Sequence, residues 1–104
     1  MSVKHITEAE FVAEISSGKV TLVDFYADWC GPCKMLGPIL EQISGEMPNV
    51  NIIKVNVDND QNLAMQFNVR SIPTMVLFKD GKPVETMIGL LSKPALVQKL
   101  SALV

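Results

Sequence analysis

Trp29-Cys30-Gly31-Pro32-Cys33-Lys34 holds both cysteines of the 104-residue chain, three positions apart. Upstream, Val20 to Tyr26 is a nearly unbroken apolar run bounded like a buried strand, and downstream Cys33 to Met47 repeats apolar residues at helical spacing. The two sulfurs therefore sit where a strand gives way to a helix. With Cys30 as the N-cap, Gly31, Pro32 and Cys33 become the first three helical residues. Residues three apart on a helix have Cβ atoms about 5–6 Å apart, near enough for a disulfide with little backbone adjustment. Pro32 falls in the first turn, where its missing N–H costs nothing. The Cys33 N–H is then the natural capping donor to the Cys30 sulfur.

A helix start presents unpaired N–H groups and the positive end of the helix dipole, so it favours an anion. That placement favours the Cys30 thiolate, while Cys33, one turn further in, is expected to be covered and protonated. The asymmetry assigns two roles: Cys30 attacks a disulfide, and Cys33 resolves the mixed disulfide.

Bulk composition narrows the alternatives. One domain spanning residues 1–104 suits the length, and 48% apolar with 19% charged residues of mixed sign calls for a packed core. A net charge of −2 leaves no basic footprint for nucleic acid. No apolar run approaches the roughly 20 residues of a membrane span, and Met1 to His5 lacks the apolar centre of a signal peptide. A cytosolic location follows as an expectation, and there a cysteine pair serves catalysis more often than structure. No metal site is expected, because two Cys and a distant His5 fall short of the four ligands of a closed zinc site.

In chain order, Val3 to Ile6 reads as a short strand. Thr7 and Glu10 form a capping box for a helix running to Gly18. Val20 to Tyr26 reads as a central strand, with Leu22, Asp24 and Tyr26 on one face and Val23 and Phe25 on the other. Asp24 is its anomaly, because a buried carboxylate is costly when charged: either it reaches water at the sheet edge or bonds to backbone, or it lies behind the cysteine pair and exchanges a proton with Cys33, directly or through water. Leu36, Ile39 or Leu40, Ile43 and Met47 stripe the next helix, with a kink expected at Pro38. Val50 to Val57 is a second buried strand with Lys54 as its odd residue, either snorkelling outward or pairing with Asp24. Asp58-Asn59-Asp60 reads as solvated capping of a short helix bearing Leu63, Met65 and Phe67. Met75 to Phe78 and Pro83 to Ile88 are strands joined by a tight Asp80-Gly81 turn, and Gly89 leaves room for a partner's backbone. Ser92 caps a final helix with Pro94 in its first turn and an apolar face of Leu96, Val97, Leu100 and Leu103. Met35, Met47, Met65, Met75 and Met87 read as core filler.

The motif Trp29-Cys30-Gly31-Pro32-Cys33-Lys34, preceded by Val23-Asp24-Phe25-Tyr26-Ala27 and followed by Ile72-Pro73-Thr74, resembles the thioredoxin family over essentially the whole chain. The resemblance implies an α/β thioredoxin fold: a mixed five-stranded sheet flanked by four helices in three layers. It implies catalytic roles for Cys30, Cys33, Asp24 and Lys54, with Lys54 paired to Asp24, and a cis bond before Pro73 packed against the cysteines. It further implies a flat, uncharged docking surface of Trp29, Gly31, Pro32, Ile72, Pro73, Gly89 and Leu90, where the Ile72 backbone pairs with an extended client segment. The implied protein is a cytoplasmic, monomeric protein-disulfide reductase with no bound cofactor beyond its redox-active disulfide. Its partners are disulfide-containing client proteins and an NADPH-dependent flavoprotein, thioredoxin reductase. Two residues depart from the common pattern: Tyr26 stands where many members carry a second tryptophan, and Leu90 where a small residue is common. Without a histidine between the cysteines, and with Lys34 the only cation beside them, the thiolate is moderately stabilised, which favours reductant over oxidant. A non-catalytic binding module and an oxidase or isomerase relative are the competing readings.

Overall fold

The computed structural model describes residues 3–104; Met1 and Ser2 of the N-terminal stretch lie outside them. Its centre is β2 (Val20–Tyr26), the strand that delivers the chain to the cysteines. β2 pairs in parallel with β3 (Val50–Asn56), which pairs in parallel with the short β1 (Lys4–His5). On its other side β2 pairs antiparallel with β4 (Thr74–Lys79), and β4 with the edge strand β5 (Lys82–Ile88). The resulting five-stranded order is β1-β3-β2-β4-β5.

Four helices cover the two faces: α1 (Glu8–Ile15), α2 (Gly31–Glu46), α3 (Gln61–Gln66) and α4 (Lys93–Ser101). Alternation along β2 divides the core as the sequence predicts. Leu22 packs with Leu36, Leu40 and Ile43 of α2 and with Leu96 and Leu100 of α4. Val23 and Phe25 face the opposite layer, with Phe11 of α1 and Leu63 of α3. Since α2 starts where β2 ends, its N-terminus lies at the carboxyl ends of the parallel strands, the usual place for a site in an open α/β sheet.

Local chemistry sets the joints. Asp80 (φ 55°) and Gly81 (φ 78°) form the two-residue hairpin turn between β4 and β5, with the positive φ values such a turn requires. Ser92 Oγ accepts the Ala95 N–H at 3.3 Å and starts α4. At α1, the Glu10 carboxylate accepts the Thr7 N–H at 3.0 Å, which is the reaching-back half of the expected capping box. The Thr7 hydroxyl also donates to the same carboxylate at 3.2 Å.

Pro38 lies inside α2, which runs to Glu46. The structure departs from the sequence reading in two places. β1 is shorter than Val3 to Ile6, although both end residues are buried. The methionines divide: Met75 and Met87 are core and Met47 packs against it, whereas Met35 and Met65 point outward, Met65 with 75% exposure. In the single short turn of α3, Leu63 and Ala64 take the inward positions, which leaves Met65 the outer face.

Two truncations test this division. Leu40→Ala is expected to lower the urea-unfolding free energy by about 2–5 kcal/mol, and Met65→Ala to change it by less than about 0.5 kcal/mol. Equal losses at the two positions would contradict the placement of the core.

Candidate active site

Cys30 occupies the N-cap of α2 in extended conformation, and its Sγ accepts the Cys33 N–H at 3.2 Å. The two cysteines are disulfide-bonded, with Cα atoms 5.2 Å apart. Both geometric expectations hold. The expected difference in accessibility is small: Cys30 keeps 4% exposure and Cys33 2%. In the oxidised pair each sulfur covers the other, and Ala27, Tyr26, Val57 and Ile72 pack around them. An incoming thiolate has only a thin edge of Cys30 to approach.

Trp29 stands beside this edge with 70% of its surface exposed. Its indole Nε1–H donates to Asp58 Oδ2 at 2.9 Å, which fixes the ring over the site. The acidic turn is thus not merely solvated capping. Asp58 holds Trp29, the Asp60 carboxylate accepts the Glu8 N–H at the start of α1 at 3.2 Å, and Asn56 Oδ1 accepts the Asp58 N–H at 2.9 Å. No side-chain bond from Asp60 caps α3. Partners 29 and 52 residues distant leave no periodic mark in the sequence.

Asp24 is fully buried on β2, on the face covered by α2, and neither carboxylate oxygen has a hydrogen-bond partner among the described residues. Burial pushes its carboxyl from the ordinary range up to about 7, opposed by the weaker pull of the Lys54 charge. Lys54 lies in register with Asp24 on the neighbouring strand. The expected contact pair does not form: among the described residues no ion pair joins them. The Lys54 ammonium sits 4.2 Å from the centroid of the Tyr26 ring instead. Lys54 therefore acts on Asp24 through its field alone. A cavity of about 200 Å3 opens here, lined by His5, Tyr26, Asp28, Cys33, Lys34 and Lys54 among others. His5 forms part of this wall and meets the Tyr26 ring edge-on, with centroids 5.8 Å apart.

The Ile72-Pro73 bond is cis, as the resemblance implies. Ile72 packs against the cysteine cluster, whereas Pro73 is buried. Its carbonyl accepts the Gly89 N–H at 2.8 Å, which ties this loop to the end of β5. Gly89 (φ 93°) has open space where a side chain would stand, and Leu90 beside it is exposed. Gly31 and Pro32 are exposed at the start of α2. A groove of about 380 Å3 is lined by Trp29, Val57, Val69, Arg70, Ser71 and Ile72. Arg70 comes from the loop between α3 and β4, and nothing in its local sequence marks it as sharing a groove with Trp29. Among the described residues, no group of three or more His, Cys, Asp or Glu gathers as a metal site, and no helix is long and apolar enough to cross a membrane.

A buried helix-capping disulfide at the carboxyl end of a central strand, beside a cis-proline loop, defines a class of thiol–disulfide exchange proteins. Comparison with known proteins agrees: the thioredoxin family profile matches residues 2–102. A thioredoxin of Chlamydia trachomatis is 48% identical over 99 residues, covering 95% of this chain and 96% of that one. A bifunctional thioredoxin reductase/thioredoxin of Mycobacterium leprae is 48% identical over 101 residues, covering 95% of this chain and 22% of that protein. The solved structure of a mutant thioredoxin from Halobacterium salinarum superposes with a TM-score of 0.93 at 39% identity, covering 98% of this chain and 90% of that one. The chain belongs to the thioredoxin family. It is a disulfide oxidoreductase that works by dithiol–disulfide exchange through Cys30 and Cys33.

The raised Asp24 carboxyl carries a signed consequence for stability. Between the ordinary carboxylate range and about pH 7 the folded chain holds a proton that the unfolded chain has released. Stability therefore falls as pH rises through that window and levels off above it, by about 4 kcal/mol in all. Asp24→Asn is expected to flatten this dependence in urea unfolding between pH 4 and 8. An unaltered slope would contradict the assignment.

Proposed function

We propose that the chain reduces disulfides in client proteins. Reduced Cys30 attacks one sulfur of an exposed client disulfide as its thiolate. That S–S bond breaks, the released client sulfur takes up a proton, and Cys30 is left in a mixed disulfide. Cys33 then gives up its proton and attacks the Cys30 sulfur, so the second client sulfur leaves as thiolate and the Cys30–Cys33 disulfide forms. Two electrons pass to the client. The observation that carries this reading is the Cys30 sulfur seated at the N-cap with Cys33 bonded to it one turn along. One N–H and one helix end stabilise the thiolate only moderately, which supports reduction over oxidation.

In the resolving step Asp24 takes the Cys33 proton, directly or through water, and its carboxyl titrating at about 7 suits it to exchange protons near neutrality. Lys54 tunes that carboxyl through its charge. Clients dock over Trp29, Gly31, Pro32, Ile72, Gly89 and Leu90, with Pro73 as the support beneath, and the Ile72 backbone offers strand-like pairing. A modest exposed apolar patch of this kind suits transient protein partners. The dithiol is restored by a thioredoxin reductase, an NADPH-dependent flavoprotein. The bifunctional reductase/thioredoxin relative supports such a pairing. We place the protein in the cytoplasm as a monomer, with residues 1–104 acting as one thioredoxin domain and no cofactor beyond its own disulfide.

Cys30→Ser is expected to abolish dithiothreitol-driven insulin reduction, read as turbidity. Cys33→Ser is expected to accumulate the mixed disulfide, visible by mass spectrometry. Asp24→Asn is expected to slow turnover by about tenfold or more. Full activity in Cys30→Ser would overturn the reaction scheme, and an unchanged rate in Asp24→Asn would remove the proton relay.

A further inference from the structure

Tyr26 is the departure from the family pattern that lies nearest the buried carboxylate, and its surroundings assign it more than packing. Asp24 and Tyr26 are two residues apart on β2 and so share a face, and Lys54 is in register with Asp24 on β3. In-register residues of paired strands stand side by side, so a lysine at this position has a carboxylate neighbour within its reach. The side chain goes elsewhere: Nζ lies 4.2 Å from the Tyr26 ring centroid, and both Asp24 oxygens are left without a partner.

Two effects favour that choice. Moving the ammonium inward to Asp24 would strip its water, whereas over the ring it stays partly exposed and still meets the negative face of an aromatic. The ring is itself held. His5 of β1 meets it edge-on at 5.8 Å, and burial, with the charges of Asp28 and Asp24, pushes its phenol up, so the ring facing the ammonium is neutral. The charged or titratable groups around this spot are thus His5 on β1, Asp24 and Tyr26 on β2, Asp28 in the following loop, Cys33 and Lys34 on α2, Lys54 on β3 and Asp60 just before α3.

We propose that Tyr26 is a positioning residue for the exchange reaction: its ring face holds the Lys54 ammonium off the Asp24 carboxylate and so leaves that carboxylate unpaired. The functional weight of this arrangement rests on the reading that Asp24 exchanges a proton with Cys33. The arrangement itself can be tested without it. Without the ring, Lys54 is released to pair with Asp24, which stabilises the charged carboxylate. With the ring, the carboxylate stays within range of protons at neutral pH.

The experiment follows the Asp24 carboxyl carbon by NMR across pH in the native protein, Tyr26→Phe, Tyr26→Leu, Lys54→Met and the Tyr26→Leu/Lys54→Met double variant. Amide spectra of each variant report that the fold is retained. Tyr26→Phe keeps the ring and is expected to keep the native midpoint. Tyr26→Leu is expected to lower the midpoint by about one pH unit or more, the effect of an opposite charge brought close. That drop is expected to vanish in the Lys54→Met background. A Tyr26→Leu midpoint that is unchanged or raised would overturn the proposal. So would an equal drop with Lys54 absent, because the ring would then act by excluding water. Because the readout is the carboxyl itself, failure of the proton relay appears separately, as an Asp24→Asn turnover rate that does not change.

Discussion

A single hydrogen bond from the Cys33 N–H to the Cys30 sulfur sets the geometry of the site. It makes a cysteine the N-cap of the helix that covers one face of the sheet. A side-chain cap is worth about 1 kcal/mol, and the helix end contributes up to about the same for an anion. The fold does not depend on that energy. It depends on what the bond fixes: the sulfur stands at the outer edge of the helix while its partner, one turn on, faces the core. β2 supplies the support, since it runs between β3 and β4 with every residue but the half-buried Tyr26 buried, and ends four residues short of Cys30.

Against that small gain stands a larger cost in the same sheet. An unpaired carboxyl at Asp24 opposes folding by about 4 kcal/mol above neutral pH, several times what the cap returns. A sequence shaped by stability alone would place an apolar residue there or let Lys54 close on it. Neither occurs: Leu22 and Met75 pack tightly nearby, while the in-register cation Lys54 rests on an aromatic ring. Local cost kept beside a reactive group is the pattern expected where function opposes stability. The well-packed layers under α2, α4, α1 and α3 absorb it.

Much of this was legible in the sequence because it is written in local terms. The alternation of β2, the apolar stripe of α2, the Asp80-Gly81 turn, the Ser92 cap and the Cys30 N-cap all depend on residues within a few positions of one another. What escaped depends on contacts between distant segments. Asp58 holding Trp29, Asp60 ending on α1, Arg70 lining a groove with Trp29 and His5 closing on Tyr26 join stretches that have no shared periodicity. Met65 was misread because a six-residue helix has too few turns for its apolar residues to define a face. Asp24 stood out as an anomaly, but the position of the Lys54 ammonium required the strand register and the ring together.

The central claim is that a thiolate stabilised only by one N–H and a helix end makes this pair a reductant. Equilibrating Cys30 and Cys33 against a glutathione buffer poised at about −240 mV, near the cytosolic value, and measuring the oxidised fraction by acid-quenched alkylation tests it directly. The account predicts that the disulfide predominates, the pair having passed its electrons to glutathione. A pair that remains mostly dithiol in that buffer would be an oxidant and would contradict the account.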